Sequence, residues 1–203
     1  HAPVIAEPCG SVHAAFLVRD NLRHRRDIEE AYLDAIDAAK EEIFLANAYF
    51  LPGIRFRHAL MNAAQRGVRV TVLLQGRVEY LLLHYASKAL YDALLGAGIH
   101  IFEYHLSFLH AKVAVIDGKW ATVGSSNIDP FSLLLAREAN IVVRDEGFAA
   151  GLRASLETAI GGGAKELKRE DWQRKPWLHR LASWMAYNLV RVMIGLAGYG
   201  GRH

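Results

Sequence analysis

Between positions 110 and 127 the chain reads H-A-K-V-A-V-I-D-G-K-W-A-T-V-G-S-S-N, a skeleton of H-x-K-x4-D-x6-G-S-x-N. Residues two apart on a strand share a face, so His110 and Lys112 would emerge side by side while Val113 and Val115 supply a buried layer. An imidazole beside an ammonium on a rigid element suits an anion. Asp117-Gly118 is a hairpin-turn signal, and the apolar run from Trp120 to Val123 would return Ser125 and Asn127 beside the first strand. Asp117 lies an odd number of positions from His110, so its side chain should face away and hold the turn or pair with a neighbouring cation.

A catalytic histidine needs a group that fixes its tautomer. Glu138 opens a further apolar strand, Ile141 to Val143, and is the expected partner: a carboxylate accepting from one ring nitrogen leaves the other aimed at substrate. The chemistry this suggests is attack of a histidine on phosphorus.

His110, Lys112, Asp117, Gly124, Ser125, Asn127 and Glu138, at these spacings, resemble the HKD motif of the phospholipase D superfamily. The flanks Asp20-Asn21-Leu22-Arg23-His24-Arg25-Arg26-Asp27-Ile28-Glu29, Ala46-Asn47-Ala48-Tyr49-Phe50-Leu51-Pro52-Gly53 and Trp120 to Pro130 resemble the C-terminal half of bacterial cardiolipin synthases, nearest the B type. The resemblance implies catalytic parts for His110, Lys112, Asp117 and Glu138, and a hold on phosphate by Lys112, Ser125 and Asn127. It implies transfer of a phosphatidyl group through a phosphohistidine, giving cardiolipin from phosphatidylglycerol and a second phospholipid. It further implies a peripheral place on the bacterial cytoplasmic membrane. The superfamily carries two such motifs and this sequence has one. A second half or a homodimer partner is therefore expected, and a phosphodiesterase or nuclease, or a half inactive alone, are the alternative readings.

The elements that must position these residues follow from periodicity. Val12 to Val18, Ile43 to Ala46, Val68 to Leu74 and Ile99 to Tyr104 read as strands. Helices are expected over Asp27 to Ala39, where apolar residues recur at i, i+3, i+4 and i+7, and over Arg55 to Arg66, Tyr80 to Leu95 and Gly147 to Ile160. This alternation predicts an α/β fold with a mixed, partly parallel sheet flanked by helices. The loop from Asn47 to Gly53 follows a strand's carboxyl end, which makes Asn47 and Tyr49 candidate pocket residues. Asp129-Pro130 reads as a helix start, with Pro130 at the first helical position.

Composition bounds the rest. With 203 residues, 52% hydrophobic and 22% charged, the chain can bury a substantial core. A formal charge of +3 fits an anionic partner without choosing between phospholipid and nucleic acid; the resemblance of the flanks implies phospholipid and an anionic membrane surface and makes nucleic acid the less expected partner. The single Cys9 cannot form an internal disulfide, and no histidine sits in a metal-ligand spacing, so no metal and no cofactor are expected. Residues 1–10 read as a linker and 11–160 as the domain that carries the motif. Gly161-Gly162-Gly163 reads as a flexible break before a helical tail over 161–203. In that tail Trp172, Trp177 and Trp184 accompany Arg174, Lys175, Arg180 and Arg191. Leu181 to Leu196 is too interrupted to span a bilayer and suits an amphipathic helix lying at an interface, or one docked on the protein's own surface.

Overall fold

The computed structural model describes residues 10–196; the expected linker and Cys9 fall almost entirely outside them. Eight strands form one sheet: β1 (His13–Arg19), β2 (Glu42–Asn47), β3 (Arg69–Gln75), β4 (His100–Tyr104), β5 (Lys112–Ile116), β6 (Trp120–Gly124), β7 (Glu138–Arg144) and β8 (Ala164–Leu167). Their spatial order is β1-β7-β6-β5-β2-β3-β4-β8. The β2–β3 and β3–β4 pairs are parallel and the other pairs antiparallel. The sheet is thus mixed, as the alternation of elements implies.

Helices cover both faces. On one lie α1 (Asp27–Ala38), α2 (Ile54–Gln65), α3 (Leu81–Lys88) and α4 (Tyr91–Gly96), whose Ile28, Ile36, Leu60 and Leu94 join Leu45, Val72 and Ala114 in the main core. The short α5 (Pro130–Leu134) and α7 (Arg169–Gln173) and the long α8 (Trp177–Ile194) add Leu133, Leu134, Trp172, Val190 and Ile194 to that core. On the other face α6 (Glu146–Gly163) buries Leu156 against Phe44, Ala46, Leu73 and Val113. It leaves part of that face open. Phe16, Ile141 and Val123, cross-strand partners in register, stay 68%, 46% and 39% exposed.

Several details differ from the sequence reading. The single helix expected from Tyr80 to Leu95 is two, parted at Ala89 and Leu90. The three glycines read as a break complete the last turn of α6, and the chain then adds β8 to the sheet edge beside β4. Gly163 fits there because a Cβ would come within 2.6 Å of the Leu106 side chain.

The topology brings one set of strand ends together. β1, β2, β3, β4 and β6 finish, and β5, β7 and β8 begin, at the same end of the sheet, so Arg19, Asn47, Gln75, Gly124, Lys112 and Glu138 share it.

Candidate active site

Lys112 is the first residue of β5 and Asn47, its register partner, the last of β2. His110 lies two residues before the strand begins, in the lead-in and not on the strand as the spacing predicts. Ala48 N–H donates to Ala111 O at 3.0 Å, which ties that lead-in to the loop after β2. Lys112 is buried, 6% exposed, and its Nζ donates to the His110 carbonyl at 3.3 Å. Burial pulls the ammonium below the usual lysine range, while the carboxylates of Glu138, Glu79 and Asp129 oppose that pull. One cation faced by three carboxylates is the electrostatic centre of this end of the sheet.

Across from it, β6 ends at Gly124, where only glycine fits: a Cβ would stand 2.1 Å from Asn140 Oδ1 and 2.5 Å from the Ala139 carbonyl. The close approach lets Ser125 N–H donate to Ala139 O at 3.0 Å and Ser125 Oγ accept from Ala139 N–H at 3.1 Å. The Ser125 hydroxyl then donates to the Glu138 carboxylate. Asn127 Oδ1 accepts from Tyr49 N–H at 3.3 Å. With its oxygen engaged there, the amide presents its NH2 group as a donor.

The structure brings Lys112, Ser125, Asn127, Glu138, Asn47 and Tyr49 into one network of loops. It departs from the spacing at His110, which precedes the strand, and from the expected pairing at Glu138; Asp117 holds the turn as its odd spacing from His110 implies, away from the catalytic part that the resemblance gives it. Glu138 does not orient His110: its carboxylate takes the Ser125 hydroxyl, and the exposed His110 ring has no hydrogen-bond partner among the described residues. The strand order supplies the reason, since β6 lies between β7 and β5 and its Ser125 is the nearer donor. Asp117 is not at this end at all. It sits in the β5–β6 turn, the length of a five-residue strand away or roughly 15 Å. There it accepts from the backbone N–H groups of Lys40, Glu41 and Glu42 at 2.9, 2.9 and 3.0 Å. Both Asp117 (φ 50°) and Gly118 (φ 60°) have the positive φ that a tight hairpin turn requires.

Two participants escape the motif. Asp129 caps α5, accepting from Phe131 N–H at 2.8 Å and Ser132 N–H at 3.0 Å, and burial raises its pKa above the usual carboxylate range. Glu79, on the loop after β3, accepts from the Tyr49 hydroxyl, and Tyr49 stacks edge-on against Tyr80 at 5.7 Å. Tyr49, Glu79 and Tyr80 line a narrow cleft with Gln75, Arg77 and His84. The Asp129-Pro130 start signal could have found the first. Nothing local marks the second, because its partner is thirty positions away.

Residues 32–160 match the model of the cardiolipin synthase, phospholipase D-like domain. The chain belongs to this family. It is 39% identical over 194 residues to cardiolipin synthase B of Escherichia coli, covering 96% of this chain and 47% of that protein. To cardiolipin synthase A of Yersinia pseudotuberculosis it is 34% identical over 160 residues, covering 79% of this chain and 33% of that protein. The chain thus spans about half the length of the B-type relatives it matches. Among solved structures, a phospholipase D family member of Salmonella typhimurium superposes with a TM-score of 0.65 at 19% identity, over 78% of this chain and 99% of that one. The phosphatidylserine synthase of Haemophilus influenzae gives 0.70 at 10% identity, over 93% and 47%. The matched span, 32–160, includes the stretch from His110 to Glu138.

Proposed function

We propose that this phospholipase D-like domain transfers a phosphatidyl group from one phospholipid to the hydroxyl of phosphatidylglycerol, forming cardiolipin. What supports the reading is that the Lys112 ammonium on the His110 carbonyl, the Asn127 amide tied to the loop after β2, and the Ser125–Glu138 pair lie at one end of the sheet, in a chain of this family.

The chemistry proceeds in two displacements. A phosphodiester resists attack because its oxygens are negative and its alkoxide leaves poorly. One histidine forms a P–N bond as the P–O bond to the first alcohol breaks, and a second histidine gives that alkoxide its proton. The second histidine next takes the proton of the incoming hydroxyl, whose oxygen displaces the first histidine and restores it. Lys112 and Asn127 hold the non-bridging oxygens and offset the charge that builds on them. His110 is one of the two. The other comes from a second phospholipase D-like half, in the same chain or in a second copy. The open row of Phe16, Ile141 and Val123 is an apolar surface such a half could cover.

Work on lipid needs contact with its surface. Among the described residues no helix is long and apolar enough to cross a membrane. α8 packs Ser183, Val190 and Ile194 inward, and Trp177, Trp184, Met185, Leu189 and Val192, each more than half exposed, face outward. No acidic residue occurs from Arg174 to Leu196, whereas Arg174, Lys175, Arg180 and Arg191 do. Docking on the protein and lying on an anionic interface thus use opposite faces of one helix.

The test is to incubate the chain, alone and joined to a second phospholipase D-like half, with labelled phosphatidylglycerol. Cardiolipin whose formation stops in His110→Ala is expected. Nicking of plasmid DNA without any lipid product would instead select the nuclease reading.

A further inference from the structure

We propose that Arg23 and Arg137 form a second anion site beside the reacting one, and that it holds the phosphodiester of the acceptor phospholipid. This rests on the phosphatidyl-transfer reading, which brings two phosphodiesters, joined through a single glycerol, to one end of the sheet. Lys112 and Asn127 serve the first anion. The second has no cation among the motif residues.

The loop between β1 and α1 leaves the sheet at Arg19, the register partner of Glu138. It is built rather than slack. Asp20 Oδ1 accepts from the N–H groups of Leu22, Arg23 and His24 at 2.8, 2.9 and 3.0 Å. Asp20 N–H donates to His24 O at 3.2 Å, and the His24 ring meets Asp27 at 2.6 Å. Arg25 Nε donates to Asn21 O at 2.9 Å. The result is a compact loop whose outward side carries Arg23 and the 84%-exposed Leu22.

Arg19 fixes this loop against the turn that precedes Glu138. Arg19 is 1% exposed, and its guanidinium donates to Asn21 Oδ1 at 2.7 Å and to the carbonyls of Leu134 and Ala136. Arg23 is two residues from Asn21. Arg137 stands between Ala136, which Arg19 holds, and Glu138, which holds Ser125. Both arginines are exposed, and neither side chain makes a hydrogen bond or ion pair with any described residue. A buried cation thus clamps two segments at the end of the sheet where Glu138 lies, one carrying Arg137 directly before Glu138 and the other carrying Arg23 four residues after Glu138's register partner Arg19, and each segment offers an uncommitted guanidinium to a second oxyanion. Guanidinium is suited to it because its fork binds phosphate oxygens two at a time.

The experiment uses the assembly that makes cardiolipin in the His110 assay, with donor phospholipid held constant in neutral detergent micelles. Arg23→Gln and Arg137→Gln are compared with the parent for two acceptors: phosphatidylglycerol, which carries a phosphodiester, and glycerol, which does not. The expected result is a rise of about tenfold or more in KM for phosphatidylglycerol with each variant, on the scale of a lost charge-assisted contact. KM for glycerol should stay level, and Arg23→Lys and Arg137→Lys should recover part of the loss. An equal effect on both acceptors, or none on either, overturns the site. So does a loss of binding to phosphatidylglycerol vesicles with an unchanged micellar KM, since the arginines would then read the bilayer surface. Transfer that survives His110→Ala would count against the phosphatidyl-transfer mechanism instead, which keeps the two failures apart.

Discussion

The side chains of Asn47 and Asn127 hold each other's loops: Asn47 Oδ1 accepts from Ile128 N–H at 3.0 Å, and Asn127 Oδ1 accepts from Tyr49 N–H at 3.3 Å. Each amide ends or follows a strand at the site end of the sheet and reaches into the segment that carries the other. Leu51 N–H adds a bond to Ile128 O at 2.7 Å. The loop after β2 and the loop after β6 are therefore tied together at the end of the sheet where Asn47 pairs with Lys112.

Asn47 is fully buried. Replacing it with alanine leaves the buried Ile128 N–H without an acceptor, and the expected cost is roughly 1–3 kcal/mol of folding stability. Urea denaturation followed by circular dichroism checks this. Because Asn127 would lose its fixed neighbour, activity in the lipid assay should fall further than the stability loss alone accounts for. A midpoint equal to that of the parent would show that the reciprocal bonds do not stabilise the fold.

Asp117 makes the opposite prediction, a stability effect without a catalytic one. Burial works against its ionisation, yet the N–H groups of Glu42, Glu41 and Lys40, with the charge of Lys40, hold its pKa below the usual carboxylate range. A folded-state pKa below the unfolded value of about 3.9 means the stabilisation is present above that pH and is lost as pH falls through the folded pKa. Asp117→Ala should lower the urea midpoint near neutral pH and differ less from the parent near pH 3. Lipid product should form at the parental rate per folded molecule. A loss of turnover with an unchanged midpoint would return Asp117 to the catalytic set.

How much of this was readable in the chain depends on distance along it. The Asp117-Gly118 turn, the strands on either side and the Asp129-Pro130 helix start are local patterns, and the structure has all three. The relation of Glu138 to His110 is not local. It depends on β6 lying between β7 and β5, and that order places Ser125 in front of the carboxylate. Glu79 joins the site from the loop after β3, which no spacing in the motif addresses. The parting of α3 from α4 at Ala89 and Leu90 carries no glycine or proline to announce it. Gly161 to Gly163 stay helical because Gly163 packs against Leu106 and Tyr104, a tertiary contact that overrides the low helix propensity of glycine.

Lys112 should set the alkaline limit of activity. Burial lowers its pKa and the carboxylates of Glu138, Glu79 and Asp129 raise it, with burial the larger influence. The ammonium is the form that offsets phosphate charge, so activity is retained below the lowered pKa and lost as pH rises through it, ahead of the ordinary lysine value of about 10.4. Glu79→Gln removes one of the opposing charges and should move the alkaline limb to lower pH. The direction is the test: a pH profile of kcat/KM whose alkaline limb stays put, or moves up, would show that Glu79 does not act on Lys112.

The exposed side of α8 should govern binding to lipid surfaces and leave the fold alone. Trp177 and Trp184 are 68% and 60% exposed, so truncating them removes little packing, whereas on a bilayer each would lose burial of a large amphipathic ring. Trp184→Ser and Leu189→Ser should therefore weaken co-sedimentation with phosphatidylglycerol vesicles, by about tenfold or more together, at an unchanged thermal midpoint. Val190→Ser, on the buried side, should do the reverse and lower the midpoint first, because Val190 is fully buried in the main core. Raised salt separates the two contributions to binding, since it screens Arg174, Lys175, Arg180 and Arg191 and does not weaken apolar insertion. Vesicle binding unchanged in the Trp184 and Leu189 variants would mean that the outward face of α8 meets something other than lipid.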